Sequence, residues 1–180
     1  SQGLKLNKTL ISINLGRNKL THTGAEILVA SIEDHPTLYR VSLYVNHLED
    51  EGAMVFASVL RKSLVLNDIT LSDNDVGDRG VTALLKAIKK NAVIRYVNLY
   101  RNKFGVKSAR AISDTVATHT NLRSLYLEYN NLGDAGAKII AAGLKKNTHS
   151  IRVDIRENRL ESSTKKELSL MTFSSELILQ

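Results

Sequence analysis

An asparagine stands at Asn18, Asn46, Asn74, Asn102, Asn130 and Asn158, always the same twenty-eight positions after the last. Apolar residues keep step with it. Five before it come Ile13, Val41, Ile69, Val97, Leu125 and Val153, and three before it come Leu15, Leu43, Leu71, Leu99, Leu127 and Ile155. Two after it come Leu20, Leu48, Val76, Phe104, Leu132 and Leu160. Eight before it come Leu10, Leu38, Leu66, Ile94 and Leu122, with Ser150 breaking the series. A period of this length marks a chain built by stacking one small supersecondary unit on the next.

Each unit has two halves of different character. Ser124-Leu125-Tyr126-Leu127-Glu128 alternates as a strand does, whereas Ala137, Ile140, Ala141 and Leu144 fall on one helical face. Asp50, Asp78, Asp134 and Ser162 share the register four after the asparagine, where each is expected to cap the first turn of its helix. Lysines and arginines gather at the helix ends, as in Lys89-Lys90, which suits the negative end of the helix dipole. A short strand plus one helix cannot bury its apolar stripe alone, but stacked copies can. Helices are wider than the roughly 4.8 Å spacing of strands, so the stack curves with its strands inside. The expected fold is α/β, a right-handed horseshoe solenoid with one short parallel strand and one helix per repeat.

A single domain spans 1–180 on this reading. Residues 1–9 align with the tail of a preceding repeat, six repeats run from about 10 to 172, and 173–180 form either a cap or the start of a seventh. Ile178 falls in the register of Leu10 and Leu122 if the period is carried forward unchanged. The two ends together suggest a segment of a longer chain.

The pattern LxxLxLxxN followed by a glycine-led helix, repeated at this period, resembles the ribonuclease-inhibitor class of leucine-rich repeats. The resemblance covers nearly the whole chain. Members include ribonuclease inhibitor, the sensor ends of NOD-like receptors and Ran GTPase-activating protein, with the actin-binding end of tropomodulin a looser relative. The resemblance implies a protein-binding module. It leaves open a GTPase-activating protein of the Ran-directed type, with Arg17 or Arg101 on the rim, and a ligand-sensing receptor segment. One scaffold carries many activities, so function has to be argued from the site.

Composition narrows the field. Cysteine is absent, which removes disulfides, thiolate metal sites and a cysteine nucleophile, and fits a cytoplasmic setting. No stretch approaches the roughly 18 apolar residues of a spanning helix, so no membrane role is expected. The net charge of +7 is spread over helix ends and interleaved with acids rather than massed with aromatics, which argues against nucleic acid as partner.

Residues for catalysis are poorly placed. His22, His35, His47, His119 and His149 fall in turns or helix ends, and no two share metal-ligand spacing on one face. His35 and His119 share a column with Asn91 and Asn147, which reads as a polar site at the helix end. Among the strand acids, Asp68 abuts Arg40, Asp73 abuts Arg101 and Glu128 abuts Arg156, the pattern of charge balance on a solvated sheet. No enzyme activity, cofactor or metal is expected. The asparagine column is structural: each amide can satisfy backbone groups where the chain leaves its strand, and leaving those unpaired would cost about 1–3 kcal/mol per site.

The tyrosines carry more information. Strand side chains pointing away from the helices lie six, four and two before each asparagine, and Tyr44, Tyr96, Tyr100 and Tyr126 all occupy such positions. Tyr129 sits on the adjoining rim. Tyrosine favours strands in any case. Even so, these rings concentrate in repeats four and five, beside arginine, in the manner of a binding hot spot. The expected contact surface for a protein partner is Tyr96, Tyr100, Arg101, Tyr126, Glu128 and Tyr129, with Tyr44 and Arg156 at its margins.

Overall fold

A computed structural model describes residues 2–171 and 174–179. Seven three-residue strands pair in parallel in chain order: β1 (Ser12–Asn14), β2 (Arg40–Ser42), β3 (Asp68–Thr70), β4 (Tyr96–Asn98), β5 (Ser124–Tyr126), β6 (Arg152–Asp154) and β7 (Glu176–Ile178). Between them run the helices α1 (Gln2–Leu6), α2 (His22–Ile32), α3 (Glu49–Lys62), α4 (Asp78–Ile88), α5 (Val106–Thr118), α6 (Gly133–Leu144) and α7 (Ser162–Ser169). The fold is an open α/β solenoid, with every strand neighbouring the strands before and after it in sequence.

Strand alternation decides which residues enter the core. Val41, Ile69, Val97, Leu125 and Val153 point toward the helices, as do Leu43, Leu71, Leu99, Leu127 and Ile155, and all are buried. From the helices come Phe56, Leu60, Leu84, Ile88, Ile112, Ile140 and Leu144. Ser150 is exposed, and its neighbour Ile151 is buried in its place.

Register is constant from β1 to β6: Arg40 pairs with Asp68, Asp68 with Tyr96, and Tyr96 with Ser124. It then shortens. Arg152 pairs with Glu176 and Asp154 with Ile178, four positions short of the usual interval. Helix α7 has 8 residues where α6 has 12, so the chain returns to the sheet one helical turn sooner. Ile178 therefore does not occupy the register of Leu10 and Leu122. It belongs to the outward column of Asp154, while Leu177 pairs with Val153 and Leu179 is buried. Residues 174–179 thus include a seventh strand, β7, paired with β6. Residues 1, 173 and 180, in the expected terminal segments, and 172, at the expected end of the sixth repeat, lie outside the described residues.

The asparagines form a ladder. Asn102 donates from Nδ2 to Leu71 O at 3.1 Å in the preceding repeat and to its own Leu99 O at 3.0 Å. Its Oδ1 accepts from Asn74 N at 3.1 Å and Val76 N at 3.0 Å. Five of the six amides are buried; Asn18, in the first repeat, is exposed and bonds only within its own turn, to Leu15 O and Gly16 O.

A second ladder runs along the other end of the helices. Recurring with the same period, Asn7, His35, Ser63, Asn91, His119 and Asn147 each accept backbone N–H groups two or three residues on. His119 Nδ1 accepts from Asn121 N and Leu122 N, so its proton resides on Nε2, which donates to Asn91 O at 2.8 Å. The histidines at this level are structural pins.

The acids four after each asparagine cap helices, but not their own. Asp50 Oδ1 accepts from Gly77 N at 2.7 Å and Gly80 N at 2.9 Å, at the start of α4. Asp78 Oδ1 serves Gly105 N and Ser108 N of α5, both at 2.9 Å, and Asp134 serves Glu161 N ahead of α7. Ser162 is the first residue of α7, with Glu161 as its N-cap. Each cap ties one repeat to the next.

Candidate functional site

Outward strand residues make the open face of the sheet, and the parallel register arranges them as a grid. Lateral alignment continues past the strand ends, since Arg101 N donates to Glu128 O at 2.8 Å and Tyr129 N to Arg156 O at 3.1 Å. Three lateral rows result: Asn98–Tyr126–Asp154, Tyr100–Glu128–Arg156 and Arg101–Tyr129–Glu157. Neighbours in a row are about 4.8 Å apart by strand spacing, and residues two apart along a strand are about 6.6 Å apart. Glu128 stands at the centre.

The third row owes its direction to backbone conformation. Arg17, Val45, Asp73, Arg101, Tyr129 and Glu157, each just before a ladder asparagine, all have φ between 51° and 57°. The left-handed region is unfavourable for non-glycine residues. Here the ladder amide holds the turn from both sides, and the side chain is thrown onto the rim beside the sheet. Tyr129 reaches the Tyr100 ring this way, with centroids 5.2 Å apart and planes tilted by 60°.

The expected residues separate into those the fold gathers and those it does not. Tyr100, Arg101, Tyr126, Glu128, Tyr129 and Arg156 share the grid. Tyr96 is 41% exposed one outward position beyond Asn98, at the margin. Tyr44 is not part of the cluster: its ring leans the opposite way, over Gly16, where a side chain would collide with it at 2.0 Å. Arg17 lies over that ring, 5.9 Å from its centroid.

Charge pairing also differs in one respect. Arg40 meets Asp68 at 2.8 Å and Arg101 meets Asp73 at 3.3 Å, as expected from lateral adjacency. Arg156 instead commits to Asp154 on its own strand: Nε lies 2.9 Å from Oδ1 and 3.1 Å from Oδ2, and Nη2 lies 2.7 Å from Oδ2. The expected lateral ion pair with Glu128 is also made, but it is longer, with Oε1 3.6 Å from Nη2. The contact to Asp154 is bidentate, Nε and Nη2 on both carboxylate oxygens, which is the stronger arrangement. Asp154 was the member that lateral spacing missed; the Asp-x-Arg run on one strand face was the available signal.

Glu128 and Asp154 are 8% and 1% exposed. Burial pushes the Glu128 carboxyl above the usual carboxylate range; Asp154 adds to the shift and Arg156 opposes it. On the helix side, a groove of about 360 Å³ between α4 and α5 is lined by Lys86, Lys89, Lys107 and Arg110. Among the described residues, no cluster of histidine and acid side chains gathers at metal-binding geometry, and no helix is long and apolar enough to cross a membrane.

A family model described as Leucine Rich repeat matches residues 63–85 and 118–141. No curated protein sequence matches the chain. Among solved structures, that of leiomodin-1 actin-binding site 2 is similar with a TM-score of 0.64 at 16% identity, over 81% of this chain and 87% of that one. At such identity the likeness is one of fold. Leucine-rich repeats are therefore present in the chain, and they are laid out as an α/β solenoid.

Proposed function

We propose that the chain is a non-catalytic module that holds a protein partner on the open face of its sheet, through Tyr96, Tyr100, Arg101, Tyr126, Glu128, Tyr129 and Arg156. The observation that carries this reading is the grid itself: large amphipathic rings and arginines set side by side on a rigid sheet. No lysine lies in any of the seven strands, although lysines are plentiful elsewhere. Arginine and tyrosine are enriched and lysine depleted where proteins meet. The unvarying period further supports a ribonuclease-inhibitor-like repeat, and the absence of cysteine supports a cytoplasmic setting.

The test is affinity capture from lysate with the wild-type chain and a Tyr100→Ala/Tyr126→Ala variant in parallel. Loss of two hot-spot rings is expected to weaken partner retention by about 2 kcal/mol or more, roughly thirtyfold. The thermal midpoint should stay within about 2 °C, since both rings lie on the outer face of the sheet, only partly buried and outside the core. Unchanged capture, or collapse of the fold, would count against the reading. Actin is the first named partner to try, because the solenoid of leiomodin-1 shares this layout; co-sedimentation with actin filaments and a monomer-binding assay settle that case. A turnover assay with small GTPases addresses the activating-protein alternative.

A further inference from the structure

The centre of the grid is out of electrostatic balance. Two buried carboxyls, Glu128 and Asp154, face one guanidinium, and Asp154 takes three of its contacts at 2.7–3.1 Å. Glu128 Oε1 forms a longer ion pair with the guanidinium at 3.6 Å, the Asp154 carboxyl lies against it as a like charge, and its Oε2 is buried with no hydrogen-bond partner. A buried carboxylate oxygen without a donor is costly, and native structures rarely tolerate one without a reason.

Neighbouring side chains do not supply the missing donor. Tyr100 and Arg156 flank Glu128 laterally, and Tyr126 and Tyr129 lie before and after it along the chain. Tyr100 and Tyr129 are packed on each other, and Arg101 is turned to Asp73 at 3.3 Å. Glu128 points outward from the sheet and its side chain keeps 11% exposure there, while Tyr129 at its edge is 50% exposed. An apolar group arriving there would leave Oε2 unpaired. An anion would meet two carboxyls. A cation would find a donor-hungry oxygen and the negative faces of tyrosine rings, which attract positive charge.

We propose that Glu128 is the floor of a socket, walled by Tyr100, Tyr126 and Tyr129, that accepts one cationic side chain of the protein partner, a lysine or an arginine. This rests on the open face being the contact surface, and it states which chemistry the partner presents there. Asp154 and Arg156 then act as positioning residues: their mutual bonds keep the guanidinium from swinging over to neutralise Glu128.

The probes are N-acetyl-lysine methylamide, N-acetyl-arginine methylamide and the neutral N-acetyl-norleucine methylamide. They are titrated into the whole chain while the tyrosine ring resonances are followed by NMR. Saturable shifts of Tyr100, Tyr126 and Tyr129 are expected with one or both cations, and none with norleucine; the stronger cation identifies the side chain. Glu128→Gln, which removes charge without volume, is expected to weaken that binding about tenfold or more, and Tyr129→Leu several-fold. Tyr129 is exposed enough for its variant to fold. Equal shifts with norleucine, or binding untouched by both variants, overturn the socket. If Glu128→Gln still captures a partner that Tyr100→Ala/Tyr126→Ala loses, the contact face stands and the socket falls.

Discussion

Burial and titration oppose each other at His119. Its ring is 5% exposed and wedged between α5 and the backbone of the preceding repeat, where Nδ1 accepts two N–H groups and Nε2 donates to Asn91 O. A second proton would have to displace those N–H donors from Nδ1 in a poorly solvated place. Desolvation accordingly lowers its pKa from 6.5, and the bonds to backbone carbonyls only partly offset this. The unfolded chain thus binds the proton more tightly than the folded one. Stability supplied by neutral His119 is complete above about pH 6.5 and is lost as pH falls through the folded value. Asparagine serves the same column at Asn91 and Asn147, so His119→Asn is expected to fold with a stability at pH 7 within about 1 kcal/mol of wild type and to lose less on acidification. Chemical denaturation at pH 7.5, 6.0 and 5.0 checks this. Comparison of the two proteins at each pH cancels the opposite contribution of Glu128, whose raised pKa makes the folded state gain as it protonates. A constant gap between the two proteins would mean that His119 does not titrate across the window. The column was legible in the sequence because every member is small or polar at a fixed interval. The preference of Arg156 for Asp154 was not. A partner two positions along the strand and one a full repeat away lie at similar distances, and only rotamer geometry separates them.

At the scale of elements, perfect repetition limits what spacing can say. Residues one repeat apart are neighbours in space, so a capping acid at the fourth position after the asparagine is compatible with its own helix or with the next one. The strand and helix of each repeat could be read from period-two and helical patterns; the identity of the capped helix could not. Asp78 makes the consequence measurable. It sits at the start of α4, yet its Oδ1 serves Gly105 and Ser108 in α5, where Ser108 also folds its hydroxyl back on Gly105 O at 2.8 Å. Asp78→Ala is expected to cost about 1–2 kcal/mol, the usual worth of an N-cap. Hydrogen exchange should show the loosening at the first turn of α5 and leave that of α4 unchanged. Loosening confined to α4 would return the acid to its own helix. Tyr44 illustrates the other kind of miss. Its outward position followed from strand alternation, but its tilt followed from what stands beside it, and Gly16 at the same position of the adjoining repeat leaves the space into which the ring falls.

The molecule is quasi-one-dimensional, because among the described residues each repeat packs on those before and after it. Stability in such an array is a sum of repeat and interface terms rather than one global figure. Burial already shows the gradient. Val97, Leu99, Leu125 and Leu127 in the middle are fully buried, whereas Ile13 and Leu15 at one end and Leu177 at the other are half-buried, and the ladder asparagine of the first repeat is exposed. Native-state hydrogen exchange is therefore expected to give backbone amides of β4 and β5 the highest opening free energies, with those of β1 and β7 exchanging at least about tenfold faster. Truncation should follow the same rule. Leu99→Ala, at a fully closed site, is expected to cost about 2–5 kcal/mol and shift the main unfolding transition. Leu15→Ala removes a side chain already in partial contact with water and should loosen β1 while leaving exchange at β4 and β5 unchanged. Equal protection from β1 to β7, or a Leu15→Ala effect felt throughout, would show the stack to be one cooperative unit. The grid around Glu128 straddles β4, β5 and β6, and the ladder has a repeat on either side of β4 and β5. A buried carboxyl with one oxygen lacking a hydrogen-bond partner is costly, and the well-packed repeats around Glu128 offset that cost.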